Sequence, residues 1–468
     1  MDSRASRVIK RRGDKIIETI AGQLARYAQE IDFNDLPAEV VHEAKRHIMD
    51  SFGCAMGAYL SEPGRIARGI ALSFKTEEGT PVFGTIHKST PDLAAFACGT
   101  LIRYLDYNDT YLSKEPAHPS DNIAAVLGAV TDGIDGRLFI TAVVLGYEVQ
   151  CRLCDAAGLR NRGWDHVTYI AFSSALAAAK VMKLPLDKIL ETIALAGAPN
   201  IALRQTRVGE LSMWKACAAA NAARNGLFAA ILGRNGMTGP REIFEGQMGF
   251  INQVSGPFML QPFGGKGDRF KVLDSYIKYY PSEYHSQAGI EAALKLRSRI
   301  DSSDEIDAIE VYTYDAAVDI IAGDKEKWNP KNRETADHSL PYCIAAALSV
   351  GKVELEEFEE EKIRDPKIFN LMQKIKVIRD STFTAEYPEG FPCLLNVTTR
   401  TGKKYSMKVT YPKGHPKNPM TDKEVEDKFR KLAGNVLPQN KIDAILDRMW
   451  NLEKVKDMRE LILLFKVE

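Results

Sequence analysis

The feature that most constrains the fold is a long succession of segments whose apolar residues recur at helical spacing, from residue 13 to about 260. The first segment repeats its apolar positions every three or four residues, at Ile16, Ile17, Ile20, Leu24 and Tyr27. A second predicted helix begins at Pro37 and continues to about Tyr59. Small residues are dense in later segments such as 94–100 and 216–224, and they let helices approach closely. We therefore expect a tightly packed all-helical domain over residues 1–268.

The character of the sequence changes after a stretch rich in glycine and proline at residues 232–268, which we interpret as ending in a hinge. Alternating or β-branched runs follow at residues 306–314, 374–378, 394–400 and 405–411, and the last two form a predicted hairpin. Helical segments at about 284–299 and 339–350 lie between them. The predicted fold class is thus mainly α, with a smaller α+β lid domain at 269–414 inserted before C-terminal helices at 415–468.

Composition excludes several classes of function. The 62 basic and 62 acidic residues cancel, so no overall field attracts nucleic acid or an anionic membrane surface. No apolar run is long enough to span a bilayer, and the start lacks the apolar core of a signal peptide, which predicts a cytoplasmic protein. The seven cysteines are scattered, and Cys151 and Cys154 are the one pair with metal-like spacing. We therefore predict no metal site and no cofactor.

A dense polar stretch interrupts the helical region between two apolar runs. It comprises Asp106 to Thr110 and His118 to Asn122. On a helix, Asp106 and Thr110 would share one face. His118 precedes a predicted helix whose N-cap is Ser120, and free N–H groups at a helix start favour an anion such as a carboxylate. The alternative interpretation is an ordinary loop in which these residues only cap helices.

Further polar candidates lie outside that stretch. His166 stands just ahead of a predicted helix, and Arg207 follows a predicted helix end, where a guanidinium can bind a carboxylate. Lys215 is close enough in sequence to line the same pocket. Lys278 and His285 flank a turn and supply a cation and an acid–base group, with Glu283 as an alternative to the histidine. His338, taken alone, is better explained as a helix cap.

The motifs Arg103 to Thr110 and His118 to Asn122 resemble those of the MmgE/PrpD superfamily of 2-methylcitrate dehydratases and cis-aconitate decarboxylases. The resemblance implies a homodimer whose C-terminal helices return to the first domain. It also implies active-site roles for a histidine at 166, for a lysine and a histidine of segment 278–285, and for Tyr342. Arg207 occupies the place of an active-site lysine of the decarboxylase branch.

Proton removal beside a carboxylate needs a base on one side and fixed positive charge on the other. Candidate catalytic residues are the acids and bases Asp106, His118, His166, His285 and Tyr342, together with the cation Lys278. Candidate substrate-binding residues are Thr110, Ser120, Arg207 and Lys215. These groups predict a cofactor-free lyase acting on a small tricarboxylate. The resemblance adds dehydration of 2-methylcitrate to 2-methyl-cis-aconitate. Alternatives are cis-aconitate decarboxylase, an epimerase of a dicarboxylate such as iminodisuccinate, and a non-catalytic helical scaffold.

Overall fold

The computed structural model describes residues 9–12, 15–131 and 133–467, and the chain is mainly helical. The helices of the first 250 residues are α1 (Ile20–Glu30), α2 (Ala38–Gly57), α3 (Glu62–Ser73), α4 (Pro91–Tyr104), α5 (Ile123–Gly128), α6 (Gly136–Ala156), α7 (Thr168–Val181), α8 (Leu186–Gly197) and α9 (Trp214–Arg234). The later helices are α10 (Gln287–Arg297), α11 (Asp315–Ile321), α12 (Arg333–Ala336), α13 (Leu340–Val350), α14 (Glu360–Ile363), α15 (Pro366–Met372), α16 (Ser381–Glu386), α17 (Asp422–Ala433), α18 (Gln439–Trp450) and α19 (Met458–Leu464).

Helices α4, α7 and α9 form the centre of the first core, and their small residues explain how closely they pack. A Cβ added at Gly99 of α4 would lie 3.0 Å from Ala220 Cα of α9. One added at Gly226 of α9 would lie 2.7 Å from the carbonyl oxygen of Ala171 in α7. Larger side chains at these glycines would force the helices apart. The prediction of close packing through small residues is confirmed.

The prediction that residues 1–268 contain only helices is wrong in detail. Two antiparallel strand pairs lie there: β1 (Ile9–Arg12) with β2 (Lys15–Glu18), and β3 (Lys75–Pro81) with β4 (Lys88–Ser89). Within the segment predicted as helix, Lys15–Glu18 therefore form a strand, and residues 13 and 14 lie outside the described residues. Helix α1 begins only at Ile20, because the Thr19 hydroxyl accepts a hydrogen bond from the N–H of Gly22 and caps the helix there.

The second core surrounds a four-stranded sheet of order β6–β5–β7–β8, made of β5 (Ile306–Thr313), β6 (Ile375–Arg379), β7 (Cys393–Thr399) and β8 (Lys404–Val409). Strand β5 runs parallel to β6 and antiparallel to β7, and β7 and β8 form the predicted hairpin. Alternate side chains of β7 are buried, and helices α10 and α13 contribute to the same core. Apolar alternation thus correctly predicted the strands.

The C-terminal helices pack on the first core. Phe429 of α17 lies against Gly53 of α2, and Phe465 lies beside Phe52 and Phe83. These aromatic side chains belong to the same buried cluster as Leu24 of α1. The exact domain limits stay a prediction. None of the described helices combines the length and the apolar character needed to cross a membrane.

Candidate active site

Asp106 lies at the centre of a buried cluster of charged groups, but it does not lie on a helix. Helix α4 ends at Tyr104, and Asp106 has φ of 49°, a left-handed conformation that ends the helix. Thr110 is extended and pairs with Tyr276 through two backbone hydrogen bonds of 3.0 and 2.8 Å. The predicted shared helix face of Asp106 and Thr110 is therefore wrong. The loop instead brings Asp106 to the segment that carries Lys278.

Three cations surround the Asp106 carboxylate. Arg103 Nη1 donates to Oδ1, Lys278 Nζ lies 3.3 Å from the same oxygen, and Lys215 Nζ lies 4.0 Å from Oδ2. Lys278 Nζ also donates to the Asp106 carbonyl oxygen at 2.8 Å. Burial by itself would raise the pKa of Asp106, but the charges of Arg103, Lys215 and Lys278 outweigh it and hold that pKa well below its usual range. Asp106 is an anion that organises the cations around it.

A second carboxylate, Asp337, shares Lys215 with Asp106. Lys215 Nζ lies 3.0 Å from Asp337 Oδ1, and the same oxygen lies 2.5 Å from His338 Nδ1. His338 Nδ1 is also 3.8 Å from Asp106 Oδ2. Sequence reasoning missed Asp337 and interpreted His338 as a cap, whereas Ser339 caps the helix by accepting from Tyr342 N. An acid followed by a histidine at the start of α13 was the signal that could have found this pair.

His118 has a defined tautomer. Its Nδ1 lies 2.7 Å from the carbonyl oxygen of Asp109, which can only accept, so Nδ1 carries the proton. Its Nε2 lies 3.0 Å from Arg103 Nη2, which can only donate. Burial and the charges of Arg103 and Lys278 hold the pKa of His118 well below its usual range. His118 is therefore neutral, and the lone pair on its Nε2 already accepts a hydrogen bond from Arg103.

His166 differs from His118 in its Nε2, which is buried and has no hydrogen-bond partner among the described residues. Its Nδ1 lies 2.9 Å from Asp165 Oδ1, and Arg207 Nε lies 3.0 Å from Asp165 Oδ2. Burial outweighs Asp165 and lowers the pKa of His166, so the ring is neutral. Its edge meets the ring of His118 at a centroid distance of 5.6 Å. The bond to Asp165 leaves a lone pair on Nε2, which is the arrangement of a general base.

His285 and Glu283 occupy different surroundings. His285 Nδ1 lies 2.5 Å from the Tyr314 hydroxyl, beside Tyr387 and Phe391, and burial lowers its pKa to about 3. Glu283 accepts from the backbone N–H of His285 at 2.8 Å, and its own N–H donates to the Asp337 carbonyl oxygen at 2.8 Å. Burial raises the pKa of Glu283. Glu283 therefore lies next to the carboxylate cluster, and the imidazole of His285 lies behind it, with Nε2 3.8 Å from Glu283 Oε1.

Three predicted site hydroxyls are engaged elsewhere. Thr110 Oγ1 donates to the Ala117 carbonyl oxygen, and Tyr342 donates to that of Glu357 within the second core. Ser120 does not cap a helix: it lies inside a 3₁₀ turn at Pro119–Asn122, and both its N–H and its hydroxyl donate to Asp109 Oδ1. The predicted anion site at this N–H is therefore wrong, because an internal carboxylate already accepts that donor.

The neutral state of His285 predicts a measurable effect on stability. The unfolded histidine binds a proton below about pH 6.5, whereas the folded one does not until about pH 3. Its folded pKa is depressed, so the stabilising contribution is present above pH 6.5 and is lost as the pH falls. The His285→Gln variant should lose less stability on acidification, by about 1.4 kcal/mol per pH unit. Urea unfolding at several values between about pH 6.5 and 4.5 would measure this difference in slope.

The comparison with wild type is essential, because buried acids act in the opposite direction. Burial raises the pKa of Asp121 to about 7, for example, and this favours the folded state at low pH. Equal slopes in wild type and His285→Gln would contradict the prediction.

Taken together, the fold is mainly helical with an α+β part, and its polar centre is a buried cluster of acid–base groups and cations. The chain belongs to the MmgE/PrpD family: residues 22–262 match the MmgE/PrpD N-terminal domain and residues 280–452 match the C-terminal domain. The chain is 28% identical to the "Probable 2-methylcitrate dehydratase" of Saccharomyces cerevisiae, covering 92% of this chain and 86% of that protein. It is 26% identical to the 2-methylcitrate dehydratase of Escherichia coli K12, covering 91% and 92%. It is also 26% identical to "Cis-aconitate decarboxylase-like protein oryM" of Aspergillus oryzae, covering 96% and 98%.

Proposed function

We propose that this protein is a hydro-lyase that dehydrates 2-methylcitrate to 2-methyl-cis-aconitate. The observation that carries the proposal is the buried Nε2 of His166, which has no hydrogen-bond partner among the described residues. The other ring nitrogen lies on Asp165, and Arg207 holds that carboxylate. The family and the names of its relatives support the substrate. A cytoplasmic location and a homodimer remain part of the same proposal.

The reaction removes a proton from the methyl-bearing carbon beside a carboxylate and expels hydroxide from the neighbouring carbon. We assign the proton to His166 Nε2; the C–H electron pair then forms the C=C bond as the C–O bond breaks. Charge that builds on the substrate carboxylate is stabilised by nearby cations, chiefly Arg207 and Lys278. The leaving hydroxide needs a proton, and Glu283 is our candidate donor because burial raises its pKa and so favours its protonated form.

Incubation of the protein with 2-methylcitrate, citrate and cis-aconitate tests the proposal. The absorbance of the unsaturated acid should rise with 2-methylcitrate, and no CO2 should be released. Release of CO2 from cis-aconitate would instead establish decarboxylation, the second candidate, which the relative from Aspergillus oryzae supports. Absence of turnover with all three acids would refute both.

Turnover should survive prolonged treatment with EDTA. Asp106, Asp337 and His338 bring ligand atoms within 4.8 Å of one another, which is close enough to hold a metal ion. Lys215 already lies on both carboxylates, and Arg103 and Lys278 lie on Asp106, so a divalent cation would meet strong repulsion there. Activity lost to EDTA and restored by one divalent metal would contradict this prediction.

The Arg207→Ala variant should raise KM by about 10- to 100-fold, the equivalent of one charged hydrogen bond of about 1.5 to 3 kcal/mol. Arg207 Nη2 is buried without a hydrogen-bond partner among the described residues, so it is free to bind a substrate carboxylate. Arg234→Ala, at the exposed end of α9, is the matched control and should leave KM unchanged. A lower kcat with an unchanged KM would mean that Arg207 acts only by holding Asp165.

A further inference from the structure

Asp109, which lies in the same loop as Asp106, is the centre of a fully buried network that the proposed chemistry does not use directly. Its Oδ1 accepts from the N–H of Ser120 at 3.1 Å and from the Ser120 hydroxyl at 2.6 Å. Its Oδ2 accepts from the Tyr147 hydroxyl at 2.6 Å and lies 2.8 Å from His47 Nδ1. One carboxylate thus joins the site loop to α2, α6 and the 3₁₀ turn that follows His118.

His47 completes this network from α2. Its side chain is fully buried, its ring edge meets the ring of Tyr147 at 5.3 Å, and its Nε2 lies 3.5 Å from Glu43 Oε1, near the surface. Burial opposes the charged ring, but the hydrogen bond and charge of Asp109 outweigh burial and raise the pKa of His47. His47 and Asp109 form a buried ion pair, which is costly to assemble and strongly destabilising to break on one side.

The network reaches the candidate active site through the backbone of Asp109. The carbonyl oxygen of that residue accepts from His118 Nδ1, and this bond leaves His118 Nε2 to accept from Arg103. Arg103 in turn donates to Asp106. The orientation of Asp109 therefore sets the tautomer of His118, and the tautomer sets where the guanidinium of Arg103 can lie.

We propose that His47 and Asp109 are positioning residues that hold His118 in its Nδ1–H tautomer and thereby align Arg103 with Asp106. Neither side chain touches the atoms that we assign to catalysis. A purely structural ion pair would stabilise the fold without controlling the imidazole of His118. The activity measurements rest on the proposed function, whereas the tautomer measurement does not.

The decisive variant is His47→Gln, which removes the positive ring from Asp109 and keeps a polar side chain. The ring nitrogens of His118, observed by ¹⁵N NMR in uniformly ¹⁵N-labelled protein, should report a new population of the Nε2–H tautomer. The kcat should fall by about 10- to 100-fold, with KM changed less than about threefold. A small misplacement of a reacting group slows the chemical step more than it weakens substrate binding. His42→Gln, on the exposed part of the same helix, is the matched control and should change neither measurement.

Tyr147→Phe is a second, milder variant in case His47→Gln fails to fold. It removes one donor from Asp109 Oδ2 and leaves His47 in place. A smaller shift of the His118 tautomer, in the same direction, would support the proposal. Unchanged His118 nitrogen signals in every folded variant would overturn it, even if the melting temperature fell. If wild type shows no dehydratase activity but the tautomer shift occurs, the positioning role stands and only the proposed function fails.

Discussion

The His166→Ala variant is expected to lose a factor of about 10² to 10⁴ in kcat, the usual contribution of a positioned general base. The reason is that Nε2 of His166 is a buried lone pair without a hydrogen-bond partner among the described residues. His118, by contrast, has its lone pair bound to Arg103. KM should change little, since the imidazole acts mainly in the transition state. Steady-state kinetics with 2-methylcitrate measure both constants.

Exchange of the substrate proton with D2O gives a second readout for the same variant. His166→Ala should abolish exchange catalysed by the enzyme, because no other group is assigned to carry that proton. Asp165→Asn should reduce exchange less severely, since it disturbs the orientation of the ring but leaves the imidazole in place. His87→Ala is the control, since His87 lies at the end of the connection from β3 to β4, directly before Lys88, and not in the acid–base cluster. Exchange at the wild-type rate in His166→Ala would assign the base elsewhere.

The Asp106→Asn variant is expected to lose both activity and stability. The substitution leaves Arg103, Lys215 and Lys278 buried around a neutral amide, and breaking a buried ion pair on one side costs about 3 to 5 kcal/mol. Asparagine tolerates the left-handed backbone at this position, so the loss reports charge and not strain. The kcat should fall by a factor of about 10² as the cations lose their alignment. Urea unfolding and steady-state kinetics give the two results.

Two further variants separate charge balance from shape. Asp92→Asn removes a carboxylate from the partly exposed ion pair with Arg224 and should cost no more than about 1 kcal/mol. Adding Lys278→Met to Asp106→Asn removes a cation whose printed ion pair is with Asp106, and this should recover part of the lost stability. A single Asp106→Asn variant as stable as wild type would show that the three cations do not depend on this carboxylate.

The sequence did not show which groups stabilise the buried carboxylate of Asp106. The motif from Arg103 to Thr110 correctly marked the loop as exceptional, because polar density between buried helices requires compensation. It could not show that the compensating groups include Lys215 and Lys278, which lie 109 and 172 residues further along the chain. The helical spacing of Asp106 and Thr110 also gave a wrong prediction. The left-handed conformation of Asp106 ends α4, and periodicity cannot reveal it.

Two further residues were overlooked because their partners also lie far away in the sequence. Asp165 is next to His166 in sequence, yet its role depends on Arg207, which reaches it only because the segments around Trp164 and Leu203 pair. Along its own helix His47 lies near Glu43, but its buried partner Asp109 comes 62 residues later in the sequence. A lone histidine on a helix has the same pattern whether it packs, caps or forms an ion pair.

The sequence by itself determined the mainly helical first region, the α+β character of the second, and the two polar motifs that carry the family resemblance. Those properties follow from local periodicity, small-residue content and short motifs, which a linear chain displays directly. Only the tertiary structure decided which histidine keeps a free lone pair, which carboxylate gathers the cations, and which hydroxyls are already engaged. Protonation and hydrogen bonding depend on burial and on partners far away in sequence, and these exist only once the chain has folded.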